Sequence, residues 1–264
     1  MPVANWKCGV CHQPSVPLDH YAVTNCGLAV HPDYVAAVLA DQQDNFPDGK
    51  VRVSAAASCP RSAAIMATED VAVDPLASNA MLTGTGWHHL MAKHTIDPAL
   101  CEVEVTGIID GIPMVGHIDR LLRYNGALVI ADWKHTNDFS RKYLKDVAKP
   151  EHIVQTSLYA ELYSQQHGER PLRGVNWYHF TSSPPFAPMW YDLWAVEKCL
   201  AHKPYGCEFT VREILHQAAE FAAGKVKWVD LPLVGAGFQF SGKSACDYCV
   251  TYDACQTQAT GAPF

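Results

Sequence analysis

Apolar and polar positions along the chain repeat with two different periods. In the middle, "CEVEVTGIID", "IPMVGHIDRLLRY" and "GALVIADWKHT" alternate in the manner of strands. Asp110-Gly111 and Asn125-Gly126 separate these runs, and both dipeptides are strong two-residue hairpin signals. Three antiparallel strands in a meander follow from that pattern. On either side the period becomes helical. "SNAMLTGTGWHHLMAKHTI" predicts a helix after the Gly84–Gly86 stretch, with Trp87, Leu90 and Met91 at positions i, i+3 and i+4. Pro150 opens a helix over "EHIVQTSLYAELYSQQHG", with Gly168 near its stop. "RGVNWYHFTS" resembles a fourth strand, and "TVREILHQAAEFAAGKV" a late helix. The order is helix, three strands, helix, strand, helix, which predicts an α/β or α+β core. Residues 1–50 are rich in Pro, His and Cys and show little periodicity; residues 246–264 form a short Cys-rich tail. Two regions are therefore expected: a small N-terminal unit over 1–50, and a domain over 51–264 closed by the tail cysteines.

Composition narrows the class. With 264 residues, 48% of them hydrophobic, the chain can bury a sizeable core. No apolar run reaches the roughly 18 residues of a membrane span, and no membrane association is expected. The N-terminus "MPVANWKCGVCHQ" lacks the apolar stretch of a secretory signal, so a cytoplasmic location with reduced thiols is expected. In that setting ten cysteines point to metal ligation more than to disulfides. The formal net charge of -7 gives no general attraction to nucleic acid, so any such site must be a local basic patch.

The chemistry concentrates in "MVGHIDRLLRYNGALVIADWKHTN". Counting back from an Asn125-Gly126 turn places Asp119 opposite Asp132 on neighbouring strands. Alternation puts Lys134 on the face of Asp132, and His117 on the face of Asp119. Two buried carboxylates that close cost several kcal/mol unless something positive lies between them. A hard divalent cation, Mg²⁺ or Mn²⁺, meets that need, and a lysine beside it can orient a water or stabilise developing negative charge.

"GHIDRL…VIADWKHT" resembles the RecB-like branch of the PD-(D/E)XK nuclease superfamily, in which a Gly-x-x-Asp strand precedes a strand ending Asp/Glu-x-Lys. "GTGWH" is similar to that family's upstream Gly-Thr-x-x-His, and "QTSLY" matches its Gln-x-x-x-Tyr motif. The resemblance implies a restriction-endonuclease-like core, a central mixed sheet flanked by helices. It implies that His88, Asp119, Asp132 and the Trp133 carbonyl hold the metal, that Lys134 positions the attacking water, and that Gln155 and Tyr159 orient the strand. His89 adjoins His88, and only the motif spacing favours His88.

Two cysteine groups flank the core. "CDYCVTYDAC" supplies Cys246, Cys249 and Cys255, a set compatible with a partial zinc site. An iron–sulfur subset of the RecB-like nucleases has this C-x2-C-x5-C array with one further cysteine before the core. "SAAASCPRSAA" resembles that upstream segment and offers Cys59. The resemblance thus implies a 4Fe–4S cluster on Cys59, Cys246, Cys249 and Cys255, with Cys₄ zinc as the alternative. At the N-terminus Cys8, Cys11, Cys26 and His31 have spacing that can close a structural zinc, with His12 and His20 as substitutes for His31. Cys101, Cys199 and Cys207 lack partner spacing and are expected to be core thiols.

"SRKYLKDVAKPEH" carries Arg141, Lys142, Lys145 and Lys149 beside the Asp-x-Lys strand. With Arg120 and Arg123 they form a candidate track for DNA phosphates. The reading that follows is a Mg²⁺- or Mn²⁺-dependent deoxyribonuclease. The resemblance favours an exonuclease acting on DNA ends or single strands, in recombination, repair or CRISPR-type processing with partner proteins of those pathways. The competing readings are a catalytically inactive nucleic-acid-binding adaptor and a zinc-finger interaction module.

Overall fold

The computed structural model describes residues 46–68, 86, 88, 90–94, 97, 100–135, 147–180, 186–231, 239–240, 243–244 and 255. A mixed sheet of six strands forms its centre. The strands are β1 (Val51–Arg52), β2 (Cys101–Ile109), β3 (Ile112–Tyr124), β4 (Ala127–His135), β5 (Arg173–His179) and β6 (Phe186–Asp192). The helices are α1 (Pro60–Thr68), α2 (Pro150–His167), α3 (Val196–Ala201) and α4 (Val211–Ala222), and a ribbon of β7 (Gln239–Phe240) and β8 (Lys243–Ser244) follows. The mixed sheet flanked by helices is the core that the motifs imply.

Both hairpin turns form as expected. Asp110 and Gly111 have φ of 52° and 78°, Asn125 and Gly126 of 51° and 79°, the left-handed pairs that suit the twist of the strands. The α2 helix begins at Pro150, whose missing N–H costs nothing in the first turn, and ends at Gly168 with φ 72°. Elements absent from the expected order are short or interrupted. β1 has two residues, too few for a period. β6 contains Pro188, which cannot donate to a ladder; the strand lies at the outer edge of the sheet, where no donor is needed on one side.

The sheet is built around β3, and its pairing prepares the site. Arg120 is paired with Cys101 of β2 and with Ala131 of β4, so β2 and β4 lie on opposite edges of β3. β1 runs parallel to Met114 and Val115, residues whose other edge β2 occupies. β1 and β4 therefore share one edge of β3, one at each end. Between them residues 116–119 of β3 have no strand partner on that edge among the described residues. The expected register holds from the turn as far as Arg120 with Ala131. Asp119 and Asp132, next in that register, are not a ladder pair. Beyond Ala131, β4 pairs only with β5 among the described residues, from Asp132 with Asn176 to His135 with His179. A direct cross-strand pair would press two carboxylates together, and the parting of the strands relieves that repulsion.

The core packs α2 onto this sheet, with Val154, Leu158 and Leu162 against Met114, Ile118, Leu121 and Ile130. Leu200, Val211 and Leu215 extend the same cluster. Cys199 and Cys207 are buried thiols, as expected, and burial pushes Cys199 up to about 11. Cys101 is only half-buried. Cys255 packs with Ala64 and Ile65 of α1 and with Trp228 and Leu231.

Gly116 of the Gly-x-x-Asp motif has a steric reason. A Cβ there would stand 2.3 Å from the Tyr159 ring and 3.2 Å from Val53. Both neighbours are buried, so neither can yield cheaply. Gly116→Ala is predicted to destabilise the protein by about 1–3 kcal/mol, the usual cost of overpacking, as measured by urea unfolding.

Candidate active site

Where β4 leaves β3, side chains from both strands meet in a cleft of about 380 Å³. His88, Glu102, Gly116, His117, Asp119, Asp132, Lys134, Gln155 and Tyr159 line it, with Arg52, Val53 and Ser54 from the β1 end. Parting the strands takes the Trp133 N–H away from β3. The Asp119 carboxylate replaces the lost acceptor: its Oδ2 takes that N–H at 2.7 Å. The two strands thus remain joined through a side chain, and the charge is held at the mouth of the gap.

Asp132 is anchored from two directions. Asn176, wholly buried and its register partner on β5, donates to Oδ2 at 2.6 Å. Lys134 Nζ stands 3.0 Å from Oδ1 and 2.9 Å from Oδ2. The lysine also donates to Gln155 Oε1 at 3.2 Å, and Gln155 Nε2 donates to the Tyr159 hydroxyl at 2.9 Å. The two contacts fix which way the Gln155 amide faces. Residues 155 and 159 lie one helical turn apart on α2, which is what lets them touch. Burial works against a charge on Lys134, but Asp132 and Asp119 outweigh it and hold the amine above its ordinary range. Burial, and then Asp119, push Tyr159 upward, so it remains a phenol. Behind the lysine, burial and then the charges of Lys134 and Lys149 hold His152 well below the usual imidazole value, with its Nδ1 2.7 Å from the Tyr178 hydroxyl.

His88 enters from a helical position on the other side. Its Nε2 lies 3.0 Å from the Trp133 carbonyl oxygen. A carbonyl only accepts, so Nε2–H donates to it, and Nδ1 faces the cleft. That nitrogen lies 3.6 Å from Asp119 Oδ1 and 4.0 Å from Glu102 Oε1. His88 Nδ1, Asp119 Oδ1 and a Glu102 oxygen thus converge, all within 4.8 Å of one another. A set of one imidazole nitrogen and carboxylate oxygens suits a divalent cation.

The sequence motifs therefore come together with one shared geometry: His88, Asp119, Asp132, the Trp133 carbonyl, Lys134, Gln155 and Tyr159. Other expected residues do not join them. Arg123 is three residues nearer the hairpin tip and pairs with Glu169 at 3.2 Å. Arg120 donates to the Asp97 carbonyl. Lys149 is exposed at the start of α2. Arg141, Lys142, Lys145, His89, the N-terminal set of Cys8, Cys11, Cys26 and His31, and Cys246 and Cys249 lie outside the described residues. Glu102, Asn176 and Arg52 are cleft or anchoring residues that the motifs did not include. The signal for Glu102 was present, since counting back from the Asp110-Gly111 turn places it opposite Asp119. Asn176 and Arg52 arrive through parallel pairings, whose register no turn specifies.

Asp119 is the electrostatic weak point. Burial, then the Asp132 charge, raise its carboxyl from 3.8 to about 7; His88, Lys134 and the Trp133 N–H pull the other way and lose. The folded chain thus keeps a proton that the unfolded chain gives up. Stability from this group is full below about pH 4 and is lost as pH rises toward about 7. In chelator-treated protein, urea unfolding should show stability falling over that window. Asp119→Asn should flatten that part of the profile.

A model of the PD-(D/E)XK nuclease superfamily matches residues 36–256. No curated protein matches the chain. A solved structure titled "Crystal structure of SSO0001" is similar at 14% identity and a TM-score of 0.48, over 85% of this chain and 96% of that one, a likeness too weak to bear on any residue. The family match spans most of the chain, including β1–β6 and the residues from His88 to Tyr159 that line the cleft, and the chain belongs to the PD-(D/E)XK nuclease superfamily.

Proposed function

We propose that the protein is a RecB-like, Mg²⁺- or Mn²⁺-dependent deoxyribonuclease that cleaves phosphodiester bonds at DNA ends or in single strands. The observation that carries this reading is the convergence of His88, Asp119, Asp132 and Lys134 at the parting of β3 and β4. The donor set fits a hard divalent cation, with His88 Nδ1, Asp119, Asp132 and the Trp133 carbonyl as its holders. When bound, that ion supplies Lewis-acid polarisation and lowers the pKa of a water. Lys134 keeps its charge against burial because two carboxylates face it. Its amine is positioned to hydrogen-bond the attacking water and to oppose negative charge developing on the phosphate. Gln155, braced by Tyr159, holds the lysine on its far side. Arg52 at the cleft and the basic segment 141–149 are the proposed phosphate contacts. A silent adaptor or a zinc-finger module has no use for this complete set, and both are disfavoured. The proposed settings are recombination, repair or CRISPR-type DNA processing. No helix among the described residues is long and apolar enough to cross a membrane.

The iron–sulfur assignment is also a proposal. Cys59 immediately precedes α1, and Cys255 packs on Ala64 and Ile65 of that helix. The two ends of the core thus return to one helix, as a cluster on Cys59, Cys246, Cys249 and Cys255 requires. A zinc ion on Cys8, Cys11, Cys26 and His31 is proposed as a separate, structural site.

Three outcomes test these assignments. Asp119→Ala, Asp132→Ala and Lys134→Met should each lower Mn²⁺-dependent cleavage of labelled oligonucleotides by about a hundredfold or more, with the fold retained by circular dichroism. Normal cleavage by Asp132→Ala would remove Asp132 from the site. Protein purified without oxygen should be brown with about four irons per chain, and Cys59→Ser should lose that iron as fully as Cys249→Ser. Zinc without iron would sink the cluster and leave the nuclease site untouched. The paired change Cys8→Ser and Cys11→Ser should remove about one zinc per chain and preserve cleavage; unchanged zinc content refutes that site.

A further inference from the structure

We propose that Glu102 of β2 is a direct ligand of the divalent cation held by His88 and Asp119. The inference rests on the cleft being a cation site and adds a residue that no motif in the sequence supplies.

Three observations converge on it. The first is the state of the other ligand atoms. Both Asp132 oxygens are engaged, by Lys134 and by Asn176. Asp119 Oδ2 holds the Trp133 N–H. The atoms still open toward one another are Asp119 Oδ1, His88 Nδ1 and a Glu102 oxygen. An ion making bonds of about 2.0–2.2 Å draws its ligand atoms to roughly 3 Å from each other. The present separations of 3.6 and 4.0 Å exceed that spacing by about 1 Å or less.

The second is the His88 orientation. With Nε2–H committed to the Trp133 carbonyl, Nδ1 is the ring atom that faces the two carboxylates. If Glu102 served merely to orient the ring, it would accept a proton from it at hydrogen-bond distance. At 4.0 Å it does not.

The third is the backbone. Glu102 has φ 50° as the second residue of β2, a conformation disfavoured for any residue with a Cβ. Cys101 with Arg120 and Val103 with Ile118 stay paired on either side, so the distortion is confined to this one residue, opposite Asp119. Glycine would adopt it without strain. The chain instead keeps a carboxylate there. Two residues on, Glu104 has no such distortion; it pairs across the strands with His117 at 3.5 Å and does not line the cleft.

The test uses the full-length, chelator-stripped protein, with Mn²⁺ alone as the probe. Binding is read by calorimetry and thermal stability without metal by melting. The unchanged protein should bind Mn²⁺, Glu102→Gln should bind it about tenfold or more weakly, and Glu104→Gln should bind it as the unchanged protein does. Glu102→Gly should lose the same affinity yet melt at the same or a higher temperature without metal, because it removes ligand and strain together. That opposition is a signature no purely structural role for Glu102 produces, and Glu102→Gly decides the case if Glu102→Gln folds poorly. Mn²⁺ bound as tightly by either Glu102 variant as by the unchanged protein overturns the ligand role and leaves the nuclease reading standing. No Mn²⁺ uptake by the unchanged protein overturns both.

Discussion

A single exchanged hydrogen bond governs this structure. Where β4 turns away from β3, the Trp133 N–H gives up a strand partner and takes the Asp119 carboxylate instead. Without that replacement, parting the strands would leave a part-buried donor unsatisfied, a loss of up to about 1–3 kcal/mol. With it, a charged group is fixed at the mouth of the gap. Asp132 follows immediately on β4, and Glu102 faces the gap from β2. Three carboxylates then share a cleft with Lys134 and Arg52, and a bound cation offsets the like charges brought together there. The raised Asp119 carboxyl expresses the same imbalance as a bound proton, which a metal would displace.

The rest of the fold serves this arrangement. Asn176 on β5 and Lys134 on β4 hold Asp132 from opposite sides, so that carboxylate has little freedom to rotate. Gln155 passes the restraint from the lysine to Tyr159, and Tyr159 rests on Gly116 because no side chain occupies that place. The glycine of the Gly-x-x-Asp motif is therefore the steric condition for the Gln-x-x-x-Tyr motif to reach the site. Two motifs separated along the chain are one packing unit in space. Such a site works against stability, since it buries like charges and keeps a strained backbone at Glu102. The large apolar cluster between α2 and the sheet carries that cost.

Much of this was legible in the sequence, and the physics explains which parts. The Asp-Gly and Asn-Gly turns determine antiparallel register, so the meander and the approach of Asp119 to Asp132 could be counted out from residues alone. The helix bearing Gln155 and Tyr159 was marked by Pro150 and Gly168 at its ends. What could not be counted was the end of the ladder. Strand separation at Asp132 relieves charge repulsion between residues on two strands, and a local pattern does not contain that. Asn176 and Arg52 were hidden because parallel pairing is specified by long crossovers rather than by turns. Arg123 was expected near the DNA track from its closeness in sequence, yet three residues along a strand carry it away from the cleft to Glu169.

The central claim is that the parting of β3 and β4 creates an anionic cleft whose proton on Asp119 yields to a divalent cation. The most direct measurement is Mn²⁺ binding by calorimetry just below neutral pH, repeated in buffers of different ionisation enthalpy. That comparison counts the protons released per ion bound. Proton release is expected in the unchanged protein, and weakened binding with that release lost in Asp119→Asn. Tight binding with no proton release, equal in the two proteins, would contradict the central claim.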